Sequence, residues 1–353
     1  MKTIHFLEKK TIFNKISFHK RKKHINLRSI ILFILLLFIS FCYLIKMIIP
    51  INKFMKKNNN DNNYNNHNNH NKNNNHNNHK NHSIHNNDMG RKSKYMQDNL
   101  TLVSAYYKVK SKHSKNDYIN WMNLTFQLNR SMIIFTSKSE MEKIKELRPK
   151  YLHNKTVFIE LEIEDFYSYK KYLNEFNKAY KIDREKYHHS VLLYIVWAEK
   201  CYFLKKAIVN NYFNSTCFYW IDSGYFRESK NLGNYTNDWP STKKCYEDKR
   251  LLLLQVRKID ENEKNLLLNL DINAYRKFIC KVNVGAGIFG GHFENVLKFI
   301  NLYYEAIEFL YSKKLFIGKE QNVYTYIALS HPEVVNLVLS KAYYYYYFKP
   351  FLS

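Results

Sequence analysis

The sequence predicts an α/β domain with a mainly parallel sheet flanked by helices, standing behind a membrane anchor and a low-complexity stalk. Apolar runs rich in Val, Ile, Leu, Phe and Tyr alternate with stretches of helical periodicity, the pattern of strands joined by crossover helices. Near the N-terminus lies a long uncharged run of a length close to a bilayer's hydrocarbon thickness. Between that run and the first strand the chain is almost wholly Asn, His and Lys, with too little apolar surface to offset the entropy of ordering.

The 353 residues suffice for one large domain, or two small ones, plus tails. With 45% hydrophobic and 16% aromatic residues, the chain as a whole is not of disordered composition. Its net charge of +26 is uneven: residues 1–97 hold 18 Lys or Arg against 3 Asp or Glu, and residues 98–353 hold 38 against 27. More than half of the excess thus lies outside the expected domain. The charge reads as a membrane-proximal tail plus a Lys-biased composition, and no nucleic-acid partner is expected.

Residues 1–28 form a basic tail containing KRKK at Lys20 to Lys23. SIILFILLLFISFCYLI, Ser29 to Ile45, carries no charge, and a snorkelling Lys46 extends it toward Pro50. No small-x-small cleavage site follows, so 29–49 reads as a signal-anchor rather than a cleaved signal peptide. Residues 9–28 carry eight Lys or Arg against four in 46–65. That bias keeps the N-terminus cytosolic and predicts a single-pass type II protein of the ER, Golgi or another secretory-pathway membrane, with its domain lumenal. Residues 50–97 read as a disordered stalk, and their histidines as low-complexity bias rather than a metal site.

In the domain, 98–353, LTLVSAYY (Leu100 to Tyr107), SMIIFTS (Ser131 to Ser137) and KTVFIEL (Lys155 to Leu161) read as strands. A helix over Glu140 to Arg148 is ended by Pro149. A long helix over about Tyr187 to Tyr212 presents Leu193, Trp197, Cys201, Leu204 and Ile208 on one face. CFYWID is the fourth strand, and LLLLQV (Leu251 to Val256) a candidate fifth. KVNVGAGIFGG (Lys281 to Gly291) reads as a strand running into glycines, followed by an amphipathic helix with Phe293, Val296, Leu297, Ile300, Tyr303, Tyr304, Ile307 and Leu310 on its apolar face. KLFIG is a strand candidate, GKEQNVYTYIAL starts a further helix at Gly318, and Pro332 begins a last one. The terminal AYYYYYF is too aromatic to stand fully exposed.

Chemistry is expected at strand ends, because ligands of open α/β sheets sit beyond the strands' carboxyl ends. Asp222 ends the apolar run FYWID and is followed by Ser223, Gly224 and Arg227. A carboxylate there suits a metal or sugar-hydroxyl ligand, and Arg227 suits a phosphate or Asp222 itself; the alternative is an Asp capping a turn. GAGIFG, Gly285 to Gly290, spells G-x-G-x-x-G and, with the helix after it, suggests an anion site. As a dinucleotide fingerprint it is weak, since Glu320 stands about 35 residues on where about 20 is expected. In GKEQ, Glu320 is a candidate base. His292 and His331 are candidate metal ligands, each with a structural alternative.

The order of LTLVSAYY, IIFTS, LLYIVWAEKCYFLKKAIVNNYFNSTCFYWIDSGYFR, VGAGIFGGHFE and GKEQNVYTYIALSHPE resembles the HtrL/YibB (WlaTC) family over most of residues 99–340. WIDSGYFR, with Trp197 and Lys200 as W-x-x-K ahead of it, is its most specific part. The family occurs near surface-polysaccharide biosynthesis functions and is similar to nucleotide-sugar glycosyltransferases of the GT-A type, with a Rossmann-like sheet. The resemblance implies a nucleotide-sugar donor and a glycan, lipid or protein acceptor. Such enzymes carry Asp-x-Asp at a strand end, holding Mn²⁺ or Mg²⁺ against the donor diphosphate. Here the motif is Asp222-Ser223-Gly224, so one carboxylate needs a converging ligand, with His292, His331 or Glu320 as candidates. The expected roles are Asp222 at the diphosphate or its metal, Gly290, Gly291 and His292 lining the sugar or acceptor site, and Glu320 as base. Trp197, Lys200, Ser223, Gly224, Arg227 and Gln321 are expected to contact donor or substrate. A dinucleotide-dependent oxidoreductase and a non-catalytic binding or scaffold protein are the alternatives.

Cys42 lies in the anchor; Cys201, Cys217, Cys245 and Cys280 allow three pairings, among which the sequence does not choose. A bridge from Cys217 to Cys245 would brace the WIDSG loop. Asn-x-Ser/Thr sequons at Asn81, Asn99, Asn123, Asn129, Asn154, Asn214 and Asn234 are compatible with a lumenal domain.

Overall fold

The chain divides into two units, 1–87 and 88–353. The computed structural model describes residues 99–227, 239–278 and 281–340, all in the second unit. The expected tail, anchor and stalk, the AYYYYYF segment, Cys42, Cys280 and the sequons at Asn81 and Asn234 lie outside the described residues. No helix among the described residues is long and apolar enough to cross a membrane.

Seven strands form one sheet: β1 (Leu100–Tyr106), β2 (Ser131–Thr136), β3 (Thr156–Glu160), β4 (Cys217–Ile221), β5 (Leu251–Gln255), β6 (Val284–His292) and β7 (Val335–Leu339). Their order is β3-β2-β1-β4-β6-β5-β7. Every neighbouring pair is parallel except β4–β6 and β5–β6, so β6 runs against the rest. The strands read as unbroken apolar runs because both faces of the sheet are covered. Alternate residues serve opposite cores. Val103, Ile133, Phe218, Trp220 and Leu253 face one, and Leu102, Ile134, Tyr219, Ile221 and Leu254 face the other.

The smaller core is closed by α1 (Lys115–Thr125) and α2 (Met141–Leu147), through Met122 and Ile144. The larger takes α3 (Tyr167–Ile182) and α4 (Val191–Asn210). Ser190 caps α4, its hydroxyl accepting from Leu193 N at 3.2 Å, which is why the helix starts later than Tyr187. The remaining helices are α5 (Thr242–Glu247), α6 (Glu261–Leu268), α7 (Ile272–Phe278), α8 (Phe293–Ser312) and α9 (Glu320–Ser330). α8 buries Val296, Ile300, Tyr303, Ile307 and Leu310 as its periodicity predicts, while Phe293, Leu297 and Tyr304 are partly covered.

Several expectations are corrected. α1, α3, α5, α6 and α7 were not read from the sequence; α1, α5, α6 and α7 are short, but α3 does carry an apolar face, with Tyr172, Phe176 and Ala179 buried. KLFIG is not a strand. Pro332 does not begin a helix; the segment after it is β7, pairing parallel with β5 from Leu251↔Val335 to Gln255↔Leu339. The glycines of GAGIFGG do not form a loop ahead of a helix but lie within β6. The reason is crowding: a Cβ on Gly290 would stand 2.2 Å from Phe218 O and 2.6 Å from Tyr219 Cα of β4.

Candidate functional site

β1 and β4 are parallel neighbours from which the strand order diverges, β1 leading to β2 toward one edge of the sheet and β4 to β5 toward the other. This is a topological switch point, where a crevice opens beyond the strands' carboxyl ends. The structure has a cleft there of about 480 Å³. Its walls are the segment after β1 (Tyr106 to Ser111), Trp220 and the Asp222–Gly224 turn of β4, and Trp197 and Lys200 of α4, with His113, Lys115, Tyr118 and Arg227 around them.

Asp222 is fixed at the end of β4. Its amide donates to Gly287 O at 2.8 Å, and its carbonyl accepts from Tyr225 N at 2.9 Å, closing the turn. Oδ1 accepts from Trp220 Nε1 at 2.7 Å and meets Lys200 Nζ at 2.8 Å. Both bonds fall on Oδ1, leaving Oδ2 for a ligand; the side chain is 41% exposed. Gly287 preserves this space, since a Cβ there would stand 3.5 Å from Oδ2 and 3.1 Å from the Tyr225 ring.

Lys200 lies beneath Asp222, its side chain 4% exposed. Nζ also contacts Glu320 Oε1 at 2.9 Å and donates to Ala286 O at 3.3 Å, with the Trp220 ring centre 5.5 Å away. Burial opposes its charge, but Asp222 and Glu320 outweigh it and hold the ammonium above the ordinary lysine range.

The structure thus brings together Trp197, Lys200, Asp222, Ser223, Gly224 and Arg227. Glu320 joins them only through Lys200: its side chain is 6% exposed and does not line the cleft. The expected role as a base touching substrate is therefore corrected, because a buried, ion-paired carboxylate presents no oxygen to the cleft. Gln321 is half-buried and also outside the cleft wall. Gly290, Gly291 and His292 are not at this site. β6 is antiparallel to β4, so they pair with Tyr219, Phe218 and Cys217 while Ile288 reaches Ile221. His292 is thus at the opposite end of β4, and it faces Glu294 at 3.9 Å. His331 closes the far end of α9 and pairs with Glu333 at 3.1 Å.

Among the described residues the cleft wall offers the expected divalent cation a single carboxylate. Among the described residues no three His, Cys, Asp or Glu side chains converge as metal ligands. The one carboxylate in the cleft wall is already paired with an ammonium.

Sequence reasoning missed the residues after β1 and the support of Trp197. Lys108, Lys110, His113 and Lys115 line the cleft; their signal was the basic run KVKSKHSK directly after a strand. Burial lowers the His113 pKa, and the Arg227 and Lys112 cations lower it further, with Asp117 opposing. The Arg227 guanidinium lies 4.3 Å from the ring centre of Trp121. Behind Trp197, the His189 ring stands edge-on at 5.2 Å, and His189 Nδ1 meets Asp183 Oδ2 at 2.7 Å. Tyr194 OH donates to the same carboxylate. Cys217 and Cys245 form a disulfide, and Cys201 is buried as a thiol.

No curated protein sequence matches the chain. A family model described as "Bacterial protein of unknown function (HtrL_YibB)" matches residues 88–353. The match covers well over half of the chain and every described element of the sheet and the cleft, and the chain belongs to the HtrL/YibB family.

Proposed function

We propose that this domain is a GT-A-like glycosyltransferase domain that binds a nucleotide-sugar donor in the cleft between β1 and β4, for transfer to a glycan, lipid or protein acceptor. One observation carries the reading: an anchored, half-exposed carboxylate, Asp222, at the switch point of a mostly parallel sheet, in a cleft with cationic and aromatic walls. Cations suit a diphosphate, the rings of Tyr106, Tyr118 and Trp197 suit a planar base or a sugar face, and Asp222 Oδ2 suits a sugar or acceptor hydroxyl. Glu320 acts as a positioning residue through Lys200. Residues 29–49 anchor the chain as a type II protein, and the Cys217–Cys245 disulfide accords with an oxidising lumen.

Non-catalytic binding is favoured by a different observation: among the described residues Asp222 is the only carboxylate in the cleft wall. The GAGIFG oxidoreductase reading loses its support, since those glycines lie inside a strand. The test is thermal stability of the detergent-solubilised full chain with nucleotide sugars, UDP, GDP and NADP(H). A ligand that binds only the native state raises its midpoint. A shift with one nucleoside diphosphate and its sugar conjugate, lost in Asp222→Asn, is expected, and turnover with that donor then separates enzyme from binder. A shift with NADP(H) alone, or with none of these ligands, would overturn the proposal.

A further inference from the structure

Resting on that reading, we propose that the cleft takes a nucleoside diphosphate without a divalent cation: the buried Lys200 ammonium occupies the cation position, and Lys108, Lys110 and Lys115 meet the phosphates. The geometry around Nζ resembles a small cation site. Oxygens of Asp222, Glu320 and Ala286 stand at 2.8, 2.9 and 3.3 Å from it, contributed by β4, α9 and β6. The ammonium thereby pairs directly with both carboxylates and offsets one of their two charges. A divalent ion placed at Asp222 Oδ2 would sit close to a resident positive charge in a partly buried setting, where like charges repel strongly. Among the described residues it would find one carboxylate in the cleft wall, already ion-paired, and would depend on the phosphates and water for its other oxygens.

The phosphates do not need the ion. Among the described residues the cleft wall carries five Lys or Arg and one carboxylate. Lys200 is engaged from below by Glu320 and from above by Asp222, so among the described residues Lys108, Lys110 and Lys115 are the outer lysines that face an anion. The depressed His113 pKa reports the same field, with the Arg227 and Lys112 cations among its causes. The turn itself is held by Trp220, Gly287 and Tyr225 contacts, so its shape requires no metal.

Calorimetric titration of the detergent-solubilised full chain with UDP and with GDP, each in EDTA and in Mn²⁺, tests this. At least one nucleoside diphosphate is expected to bind with the same affinity in both buffers, and more weakly at high salt. An affinity about tenfold or more lower in EDTA would overturn the inference and leave the proposed function standing. Binding of neither ligand in either buffer would overturn both. Lys200→Ala gives a second readout, because it leaves Asp222 and Glu320 facing a vacated cation position. Mn²⁺ is expected to raise the thermal midpoint of this variant and not that of the unaltered chain. A Mn²⁺ shift in the unaltered chain that Asp222→Asn abolishes would overturn the inference independently.

Discussion

Arg148 illustrates how a single charge is buried here among neutral acceptors, with burial lowering its pKa to about 9. Its guanidinium donates from Nε to Thr156 Oγ1 at 2.9 Å, from Nη1 to Phe126 O at 2.6 Å and Leu128 O at 2.8 Å, and from Nη2 to Arg130 O at 2.8 Å. It ties the segment after α1 to the start of β3. Lysine cannot reproduce this fork, so Arg148→Lys should cost about 3 kcal/mol by leaving buried carbonyls without donors. A lower urea midpoint at unchanged slope would show it. Lys200 makes the opposite kind of contact, with charge on charge. Lys200→Met should cost about 3–5 kcal/mol, because Glu320 is left buried without its cation; the same titration measures it. Asp183 supplies a pH dependence. Burial opposes its ionisation, but hydrogen bonds from His189 and Tyr194 and the charges of His189 and Lys319 hold its pKa below the ordinary 3.8. A carboxylate with a lowered folded-state pKa adds stability above its unfolded pKa and loses it as pH falls through the folded value. Wild-type stability should therefore fall below about pH 4, and Asp183→Asn should flatten that fall in a pH series of denaturation midpoints.

Among the elements, β6 couples the site to the larger core. Its glycines serve two strand contacts: Gly287 leaves room for Asp222 and Tyr225, and Gly290 lets β4 approach. Gly290→Ala forces backbone apart and should destabilise by about 1–3 kcal/mol, while the folded fraction keeps its ligand affinity, since Gly290 stands far from the cleft. Equal loss of affinity in titrations on folded protein would place Gly290 at the ligand after all. α4 is the element that reads both ways. Its start is fixed by Ser190, and its turns deliver Trp197 to the cleft, Lys200 beneath Asp222 and Cys201 to the core. The Cys217–Cys245 bridge closes a loop of sequence separation 28 that begins at β4 and contains the Asp222 turn. By the chain-entropy argument its loss costs about 3.5 kcal/mol. Cys245→Ser should show that loss as a lower thermal midpoint.

At the scale of the molecule, charge decides partner chemistry. The cleft wall carries Lys108, Lys110, Lys115, Lys200 and Arg227, so a small anion is the expected ligand there. The N-terminal third carries the remaining excess and the one long apolar run. Expressed in full, the chain should resist alkaline extraction from membranes, and its domain should be protected from protease in intact microsomes. Digestion without detergent would overturn the type II arrangement.

Wherever a local rule sufficed, the sequence alone determined the outcome. Six of the strands were legible as apolar runs, because residues buried on both faces leave no polar alternation. The helices of α4, α8 and α9 were legible from apolar periodicity or a clear start. Asp222 stood out in the sequence as a charge ending an apolar strand, with a turn cap as the alternative. What only the tertiary structure decided was direction and company. Nothing local in VGAGIFGGH says that β6 runs antiparallel, yet that reversal carries Gly290 and His292 away from Asp222. Nor does GKEQ say that Glu320 lies under Lys200, a contact across 120 residues. Pairing direction and long-range ion pairs arise from packing between distant segments, and side-chain type and spacing carry no record of them.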